Sequence, residues 1–303
     1  MKIIVSTLFV LLPMLVTNAQ QKGIKSTLVV FDIESNQRTT VLTENAHFEA
    51  PNWSRDGIFF VINQNGGLFK VTMDRTKERI DTGFADRCNN DHGISPDGKT
   101  LVLSHNLEDG NDGWLTSCMF TVPIDGGEPV RITKNTPSFW HGWSPDGKTL
   151  VYTAKRGEVF NIYAIPVRGG NEIQLTDSEG LDDGPDYSHD VKHIYYNSIA
   201  SGTMEIWRMS ANGTGNEQLT DDRYSNWFPH PSPDGKHLVY ISYLIDQGSA
   251  HPAMKKVALR LYSLKEKTVR TLHEFIGGQG SLNVPSWSPD GKRFAFVSYD
   301  YID

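Results

Sequence analysis

Histidine and aspartate side chains at matched positions of a repeated pattern are the residues of this 303-residue sequence best suited to chemistry. A turn signature ending in Asp-Gly recurs along the chain, and two consecutive copies carry His92 and His141 five residues before its Asp. The other copies carry Pro there. Imidazole and carboxylate groups can form an acid and a base with separated pKa values. With Asp183 from the fourth copy, these histidines are the predicted catalytic residues.

The same histidines could bind a divalent metal ion, because neutral imidazole is a common metal ligand. His92, His141 and His230 are the predicted metal ligands, with Asp91 or Asp183 nearby. No closely spaced pair such as His-x-His supports this prediction. The alternative is that the histidines form hydrogen bonds inside the protein and do no chemistry, so the cofactor stays unassigned at this point.

Polar and aromatic side chains near the same positions suit a ligand rich in hydroxyl groups, such as a carbohydrate. Carboxylates and amides hydrogen-bond hydroxyls, and indole rings offer flat faces on which sugar rings stack. The predicted ligand-binding residues are Asp91, Trp140, Asp182, Asn226, Trp227, His230, His251 and Asn283. The alternative for Asp182 and Asp183 is a solvated turn, which residues 181–184 also fit.

These residues take their positions from a turn signature, Ser-Pro-Asp-Gly-Lys or a degenerate form of it, that occurs six times. Pro presets φ for the first corner, Asp caps its own backbone, and Gly adopts positive φ where the chain reverses. The copies are 41 to 56 residues apart, a spacing typical of propeller blades. Their aspartates are Asp56, Asp97, Asp146, Asp190, Asp234 and Asp290.

Each repeat contains four β-rich segments with no helical pattern between them, which predicts one propeller blade per repeat. The sixth copy is followed by only one such segment. Residues 27–32 and 38–43, at the other end of the chain, supply the missing two. The sequence therefore predicts an all-β, six-bladed β-propeller with four antiparallel strands per blade, closed by N-terminal strands that complete the last blade.

In such a ring the signature turns all lie on one face, and the segments that lead into each first strand lie on the other, around the channel mouth. Expanded loops at 105–116 and 244–257 should bring His105, Trp114, His251 and Lys255 to this mouth. Trp53, Trp143 and Trp287 recur at one signature position and should pack between blades. Trp140 and Trp227 do not recur, so we expect them at the rim of the mouth rather than between blades.

The Ser-Pro-Asp-Gly-Lys repeat resembles that of TolB-like β-propellers, and the similarity covers essentially all of the chain after residue 19. Similar blades occur in prolyl-oligopeptidase-type enzymes and in oligogalacturonate lyases. The peptidases carry a Gly-x-Ser-x-Gly elbow that this sequence lacks. The lyases hold a metal near the channel with His and Gln, although no signature of theirs matches this chain. TolB of the Tol-Pal system has an additional N-terminal α/β domain, so the resemblance is to the propeller and not to full TolB.

Two functions follow from the resemblance and the polar mouth. The first is an exported binding module that captures a carbohydrate, a peptide or an envelope protein at the channel mouth. The second is a carbohydrate lyase or hydrolase that uses the His and Asp residues there, with or without a metal ion. We favour the binding module because no complete catalytic motif can be written from the sequence.

Residues 1–19 have the pattern of a bacterial signal peptide, with Lys2, an apolar run and small residues before Ala19. We therefore predict a periplasmic or secreted protein with one domain, residues 20–303, and no membrane span. The net charge of −7, without a basic cluster, argues against nucleic acid as a partner. Cys88 and Cys118 could form a disulfide in an oxidising compartment, or be buried free thiols.

Overall fold

Six antiparallel sheets form a ring in the computed structural model, which describes residues 23–110 and 112–302. The predicted signal peptide lies outside the described residues. The two N-terminal strands are β1 (Gly23–Asp32) and β2 (Arg38–Glu44). The fold is the predicted six-bladed β-propeller.

Five blades follow in sequence, each with its first strand innermost and its fourth strand outermost. Blade 1 contains β3 (Glu49–Trp53), β4 (Phe59–Gln64), β5 (Gly67–Thr72) and β6 (Lys77–Arg79). Blade 2 contains β7 (Cys88–Ile94), β8 (Thr100–Asn106), β9 (Ser117–Pro123) and β10 (Val130–Arg131). Blade 3 contains β11 (Ser138–Trp143), β12 (Thr149–Lys155), β13 (Phe160–Pro166) and β14 (Ile173–Gln174). Blade 4 contains β15 (Asp182–Tyr187), β16 (His193–Ser198), β17 (Glu205–Ser210) and β18 (Glu217–Gln218). Blade 5 contains β19 (Ser225–Pro231), β20 (His237–Tyr243), β21 (Lys255–Ser263) and β22 (Thr268–Gly277).

The sixth blade joins the two ends of the described chain, as predicted. Its second strand is β23 (Arg293–Ile302), and β1 pairs with it along its whole length, from Gly23 opposite Ile302 to Asp32 opposite Arg293. β2 is the outer strand, and a bridge between Trp287 and Phe294 marks the inner strand. Within the part of the chain that the structure describes, no helix is long and apolar enough to cross a membrane.

The signature turns share one hydrogen-bonding scheme. In each blade the Ser hydroxyl donates to the Asp carboxylate two residues later, at 2.5 to 2.7 Å. Five turns place Gly at positive φ, from 68° to 79°. In blade 4 Val191 replaces this Gly and keeps a φ of 62°. A β-branched residue is strained in the left-handed region, so the turn geometry is imposed on Val191 by its surroundings.

Large side chains fill the spaces between neighbouring blades. The indole Nε1 of Trp143 donates to the carbonyl of Gly93 in the preceding blade at 3.1 Å, and that of Trp287 to the carbonyl of His230 at 2.9 Å. Trp53 donates to Gly57 within its own blade at 3.2 Å. All three indoles are buried in clusters that contain residues of neighbouring blades, which confirms that the recurring tryptophans pack between blades.

Cys88 and Cys118 are free, buried thiols. Both lie opposite His105, one on each side of β8, so a strand separates them. Strands two apart in a sheet are roughly 9 to 10 Å apart, which is beyond the Cα separation that a disulfide can bridge. Of the two alternatives for these cysteines, the structure shows the free thiols.

Candidate functional site at the upper mouth

A cavity of about 720 Å³ opens at the end of the channel where the chain enters the first strand of each blade. We call this end the upper mouth. Its volume lies in the range of pockets that bind small molecules. The lining comes from blades 2 to 6 and comprises Asn89, Asn90, Asp91, Trp114, Phe139, His141, Thr153, Glu158, Val159, Phe160, Glu179, Gly180, Leu181, Asp183, Phe228, Ser249, His251, Gln279 and Asn283.

Bulges in the innermost strands direct side chains into the mouth. The register of β3, β15 and β19 shifts just before the signature, and Ala50, Gly184 and Phe228 have φ values of 56°, 61° and 57° there. Each of the three precedes a Pro. Bulges re-aim side chains, and non-glycine residues at positive φ are concentrated at functional sites. Three of the backbone irregularities of the ring thus lie in the strands that lead from the upper mouth.

Asp183 is the most highly coordinated acid in the cavity. Its Oδ1 accepts hydrogen bonds from the Thr153 hydroxyl at 2.7 Å and the Gly184 amide at 2.8 Å, and lies 3.2 Å from His141 Nε2. Its Oδ2 lies 3.7 Å from His251 Nε2. Burial alone would raise the pKa of Asp183, but the hydrogen bond and charge of His141 outweigh it and lower the pKa to about 2. Asp183 is therefore an anion.

Asp91 is a second buried acid with the opposite character. Burial raises its pKa to about 7, the charge of His141 opposes this shift, and the Asp183 carboxylate adds to it. Burial also opposes a charge on His141, but Asp91 and Asp183 outweigh it and raise the pKa of this histidine. Next to Asp91, burial and the Asp91 charge raise the pKa of Glu49 to about 8. The upper mouth thus holds one ionised carboxylate beside two acids that take up protons near neutrality.

A hydrogen-bonded chain from blades 5 and 6 completes the polar side of the cavity. The Gln279 carbonyl oxygen contacts His251 Nδ1 and accepts from the Asn283 amide at 3.0 Å. Asn283 in turn accepts from the Gly280 amide at 2.7 Å. The His251 ring packs against Trp227 and Phe228, with ring centroids 4.6 and 5.3 Å away.

Three aromatic rings form the opposite wall. Trp114 stacks on Phe139 and on Phe160, with centroids 6.2 Å apart in both pairs and interplanar angles of 27° and 28°. Trp114 belongs to the 3-10 turn Gly113–Thr116 between β8 and β9 and is 44% exposed. We call these three residues the aromatic wall. It offers an open apolar face a short distance from the buried acids.

The structure brings five of the predicted site residues together in the cavity: Asp91, His141, Asp183, His251 and Asn283. Four others lie elsewhere. His92 is fully buried, its Nε2 lies 3.1 Å from the Val61 carbonyl, and burial lowers its pKa to about 4. His230 contacts Asp186, Asp182 accepts from Ser178, and Asn226 donates to Glu205. These polar groups hold neighbouring segments together and do not face the cavity.

The predicted position of Trp140 and Trp227 at the rim is wrong. Both side chains are buried, with 1% and 0% of their surface exposed. Trp140 lies against Gly93 so closely that a Cβ there would stand 1.8 Å from its ring. Glycine makes room for an indole between blades, so a tryptophan that does not recur still packs in the core. The exposed tryptophan of the mouth is Trp114.

The predicted metal ligands do not converge. Among residues 23–110 and 112–302, no group of three or more His, Cys, Asp or Glu side chains is arranged to hold a metal ion. Both ring nitrogens of His230 have protein partners, Asp186 and the Leu282 carbonyl, each at 3.0 Å. His92, His141 and His230 therefore do not fit a shared metal ion.

Sequence reasoning missed Thr153, Phe228, Gln279 and the two phenylalanines of the aromatic wall. Gln279 lies in the glycine-rich segment 277–280, a composition that marks a tight loop next to the mouth. Thr153 is near the end of the second strand of blade 3, at the upper mouth, where a polar residue could have been noted. Phe228 gave no signal, because its place beside the cavity depends on a positive φ.

The structure is a β-propeller with a ligand-sized cavity at one mouth, and comparisons with known proteins agree with the fold. A family model described as the TolB β-propeller domain matches residues 132–264. The uncharacterized protein Atu1656 of Agrobacterium fabrum is 44% identical over 279 residues, which is 91% of this chain and 93% of that protein. A solved structure from Agrobacterium tumefaciens, provisionally described as TolB, is 44% identical, with a TM-score of 0.87 over 92% of this chain and 99% of the other.

TolB from Acinetobacter baumannii shares the fold at 20% identity, with a TM-score of 0.65, over 85% of this chain and 64% of that protein. The chain belongs to the TolB-like β-propeller family.

Proposed function

We propose that this protein is an exported binding module that captures an oligosaccharide at the upper mouth. The observation that carries the proposal is the division of one cavity into a buried polar side and an aromatic wall. Sugars combine hydroxyl edges with apolar ring faces, so the amide and carboxylate groups of Asn283 and Asp183 can bind the edges while Trp114 stacks on a face. A cavity of about 720 Å³ is in the range of pockets that bind small molecules.

The charge of the mouth narrows the class of sugar. Glu158 and Glu179 are exposed at the rim, and Asp183 is ionised inside. Burial opposes a charge on His141, but Asp91 and Asp183 raise its pKa, and burial lowers the pKa of His251. The site is therefore acidic. Acidic surroundings repel uronate oligomers and favour neutral or amino sugars, because like charges in a partly enclosed cavity interact strongly.

Isothermal titration calorimetry with three probes tests this proposal. The probes are oligomers of N-acetylglucosamine, of glucosamine and of galacturonate, each two to four units long. We expect saturable binding of at least one of the first two and none of the third. Trp114→Ala should weaken binding about tenfold, since it removes the exposed stacking face.

Phe84→Ala is the matched control, because Phe84 is 54% exposed but lies outside the cavity lining. It should bind as the native protein does. Asp183→Asn should also weaken binding, although it alters a buried network. Failure of all three probes, or equal losses in the Trp114 and Phe84 variants, would refute the proposal.

A glycoside hydrolase is the second candidate function, and the separated pKa values of Asp91 and Asp183 favour it. A neutral acid that protonates a leaving oxygen, beside an ionised carboxylate that stabilises positive charge on the sugar, is the arrangement used to cleave glycosidic bonds with water. Prolonged incubation with the bound oligomer should then release new reducing ends, and Asp91→Asn should abolish this release. An intact oligomer after incubation at pH 5 to 7 would leave binding as the function.

A further inference from the structure

The opposite end of the channel holds a second cavity, of about 300 Å³, which the proposed function does not use. We call this end, where the signature turns lie, the lower mouth. Three buried indoles, Trp53, Trp143 and Trp287, and several prolines line it. The tryptophan nitrogens are bonded to carbonyls, so the rings contribute apolar surface to the cavity. The wall thus combines these apolar rings with a few polar side chains.

Two charged or titratable residues interrupt this wall at one position of the repeat. The residue after the signature Ser is Pro in four blades but Arg55 in blade 1 and His189 in blade 4. Blades 1 and 4 are three positions apart in a ring of six, so they face each other across the channel. Both side chains line the cavity. Burial lowers the pKa of His189, the charge of Arg55 lowers it further and the charge of Asp186 opposes both, which indicates that the three groups are close enough to interact.

Arg55 has no hydrogen bond or ion pair with any residue in the described parts of the chain. The acid in the same wall, Asp186, is already engaged by His230 Nδ1 at 3.0 Å. His230 Nε2 faces the Leu282 carbonyl, also at 3.0 Å. The charge of Asp186 also acts on Arg55, but no hydrogen bond joins the two side chains, so the five N–H donors of Arg55 have no acceptor among the described residues.

We propose that the lower mouth binds a small organic anion, a carboxylate attached to an apolar group. The guanidinium of Arg55 binds the carboxylate through two parallel hydrogen bonds, and His189 contacts it from the opposite side. The tryptophan and proline rings pack against the apolar group. Because these rings are apolar, an inorganic anion such as phosphate would gain only the Arg55 contact and should bind more weakly. This site is separate from the upper mouth.

Benzoate is a suitable probe, because it joins one carboxylate to one ring. Titration of the purified protein, followed by calorimetry and by tryptophan fluorescence, should show saturable binding with a fluorescence change from the three indoles. Benzamide, which has the same shape without the charge, and inorganic phosphate, which has charge without the ring, should each bind at least tenfold more weakly. Comparable binding of benzamide would overturn the assignment of an anion site, and comparable binding of phosphate would overturn the role of the apolar rings.

Arg55→Gln should weaken benzoate binding at least tenfold, and Arg55→Lys should weaken it less. The control is Arg75→Gln, since Arg75 is exposed in a turn away from the lower mouth. Arg55 is on the surface of its turn, so the variant should fold with an unchanged melting temperature. Benzoate binding that is equal in the Gln variants of Arg55 and Arg75 would refute the proposal. Trp114→Ala should leave benzoate binding intact, which separates this test from that of the upper mouth.

Discussion

Asp91→Asn should make the protein less sensitive to rising pH. Asp91 is buried, and its pKa of about 7 in the folded protein compares with about 4 in an unfolded chain. The folded state therefore binds this proton more tightly than the unfolded state. The free energy of unfolding must therefore fall as the pH rises from about 4 to about 7. In this range the unfolded chain releases the proton, whereas the folded protein either keeps it or holds a buried anion beside Asp183. Asparagine has the same shape and no proton to lose.

The size of the effect follows from the two pKa values. A difference of about three units corresponds to about 4 kcal/mol of stability, which is lost in full only above about pH 7, where the carboxyl is ionised in both states. Roughly 1 to 2 kcal/mol of this is already lost at pH 5, so about 3 kcal/mol remains between pH 5 and pH 8. For a domain of this size unfolding entropy is about 0.6 kcal/mol per degree, so the melting temperature of the native protein should fall by roughly 5 °C more than that of the variant.

Thermal unfolding followed by circular dichroism at pH 5, 6, 7 and 8 measures this difference. Asp221→Asn is the control, because Asp221 is exposed on the loop before β19 and should give a profile parallel to that of the native protein. Glu49 titrates in the same direction and remains in the variant, so some decline with pH should persist. Parallel profiles for Asp91→Asn and the native protein would show that Asp91 is not a protonated buried acid.

Three other predictions concern the turns, the thiols and the Asp183 network. Val191→Gly should raise the free energy of unfolding by about 0.5 to 1 kcal/mol, since it removes a Val from the left-handed region at a position that is 42% exposed. A lower free energy of unfolding in a chemical denaturation experiment would contradict this. Cys88 and Cys118 are buried, and burial raises the pKa of Cys88 to about 12, so both should react with a thiol reagent only after the protein unfolds. Rapid labelling of the folded protein would be inconsistent with their burial. Thr153→Val should lower stability by about 1 kcal/mol in denaturant titrations, because Asp183 loses a buried hydrogen bond, whereas Thr153→Ser should restore it.

The fold was predictable because one turn occurs six times, and its residue types indicate its conformation in each copy. Ser54 and Ser288 make the same contact to their Asp residues although the chain between them is long and varied. The strand pairing of β1 with β23 also followed from counting strands per repeat. Such local signals carry enough information when every unit of a fold is built alike.

The site was only partly predictable, because its side chains depend on the register of bulged strands. His92 and His141 occupy equivalent sequence positions, yet His92 is turned towards the Val61 carbonyl and His141 towards the cavity. Trp140 was expected at the rim because it does not recur, but Gly93 in the preceding blade makes room for it. The orientations of these side chains depend on contacts between blades, and the residue pattern within one blade does not predict such contacts.

The seam between β1 and β23 has a consequence for the order of folding. Gly23 pairs with Ile302, so the two partners are 279 residues apart in the chain. Contacts of such long sequence separation are slow to form, because the entropy of closing a large loop is lost before any pairing energy is gained. Blades 1 to 5 can assemble from neighbouring segments as they are synthesised. During this time the edge of β1 that pairs with β23 has no partner strand. Closure of the ring should therefore be the last and slowest step, and the step at which a chaperone or a competing chain has most opportunity to bind.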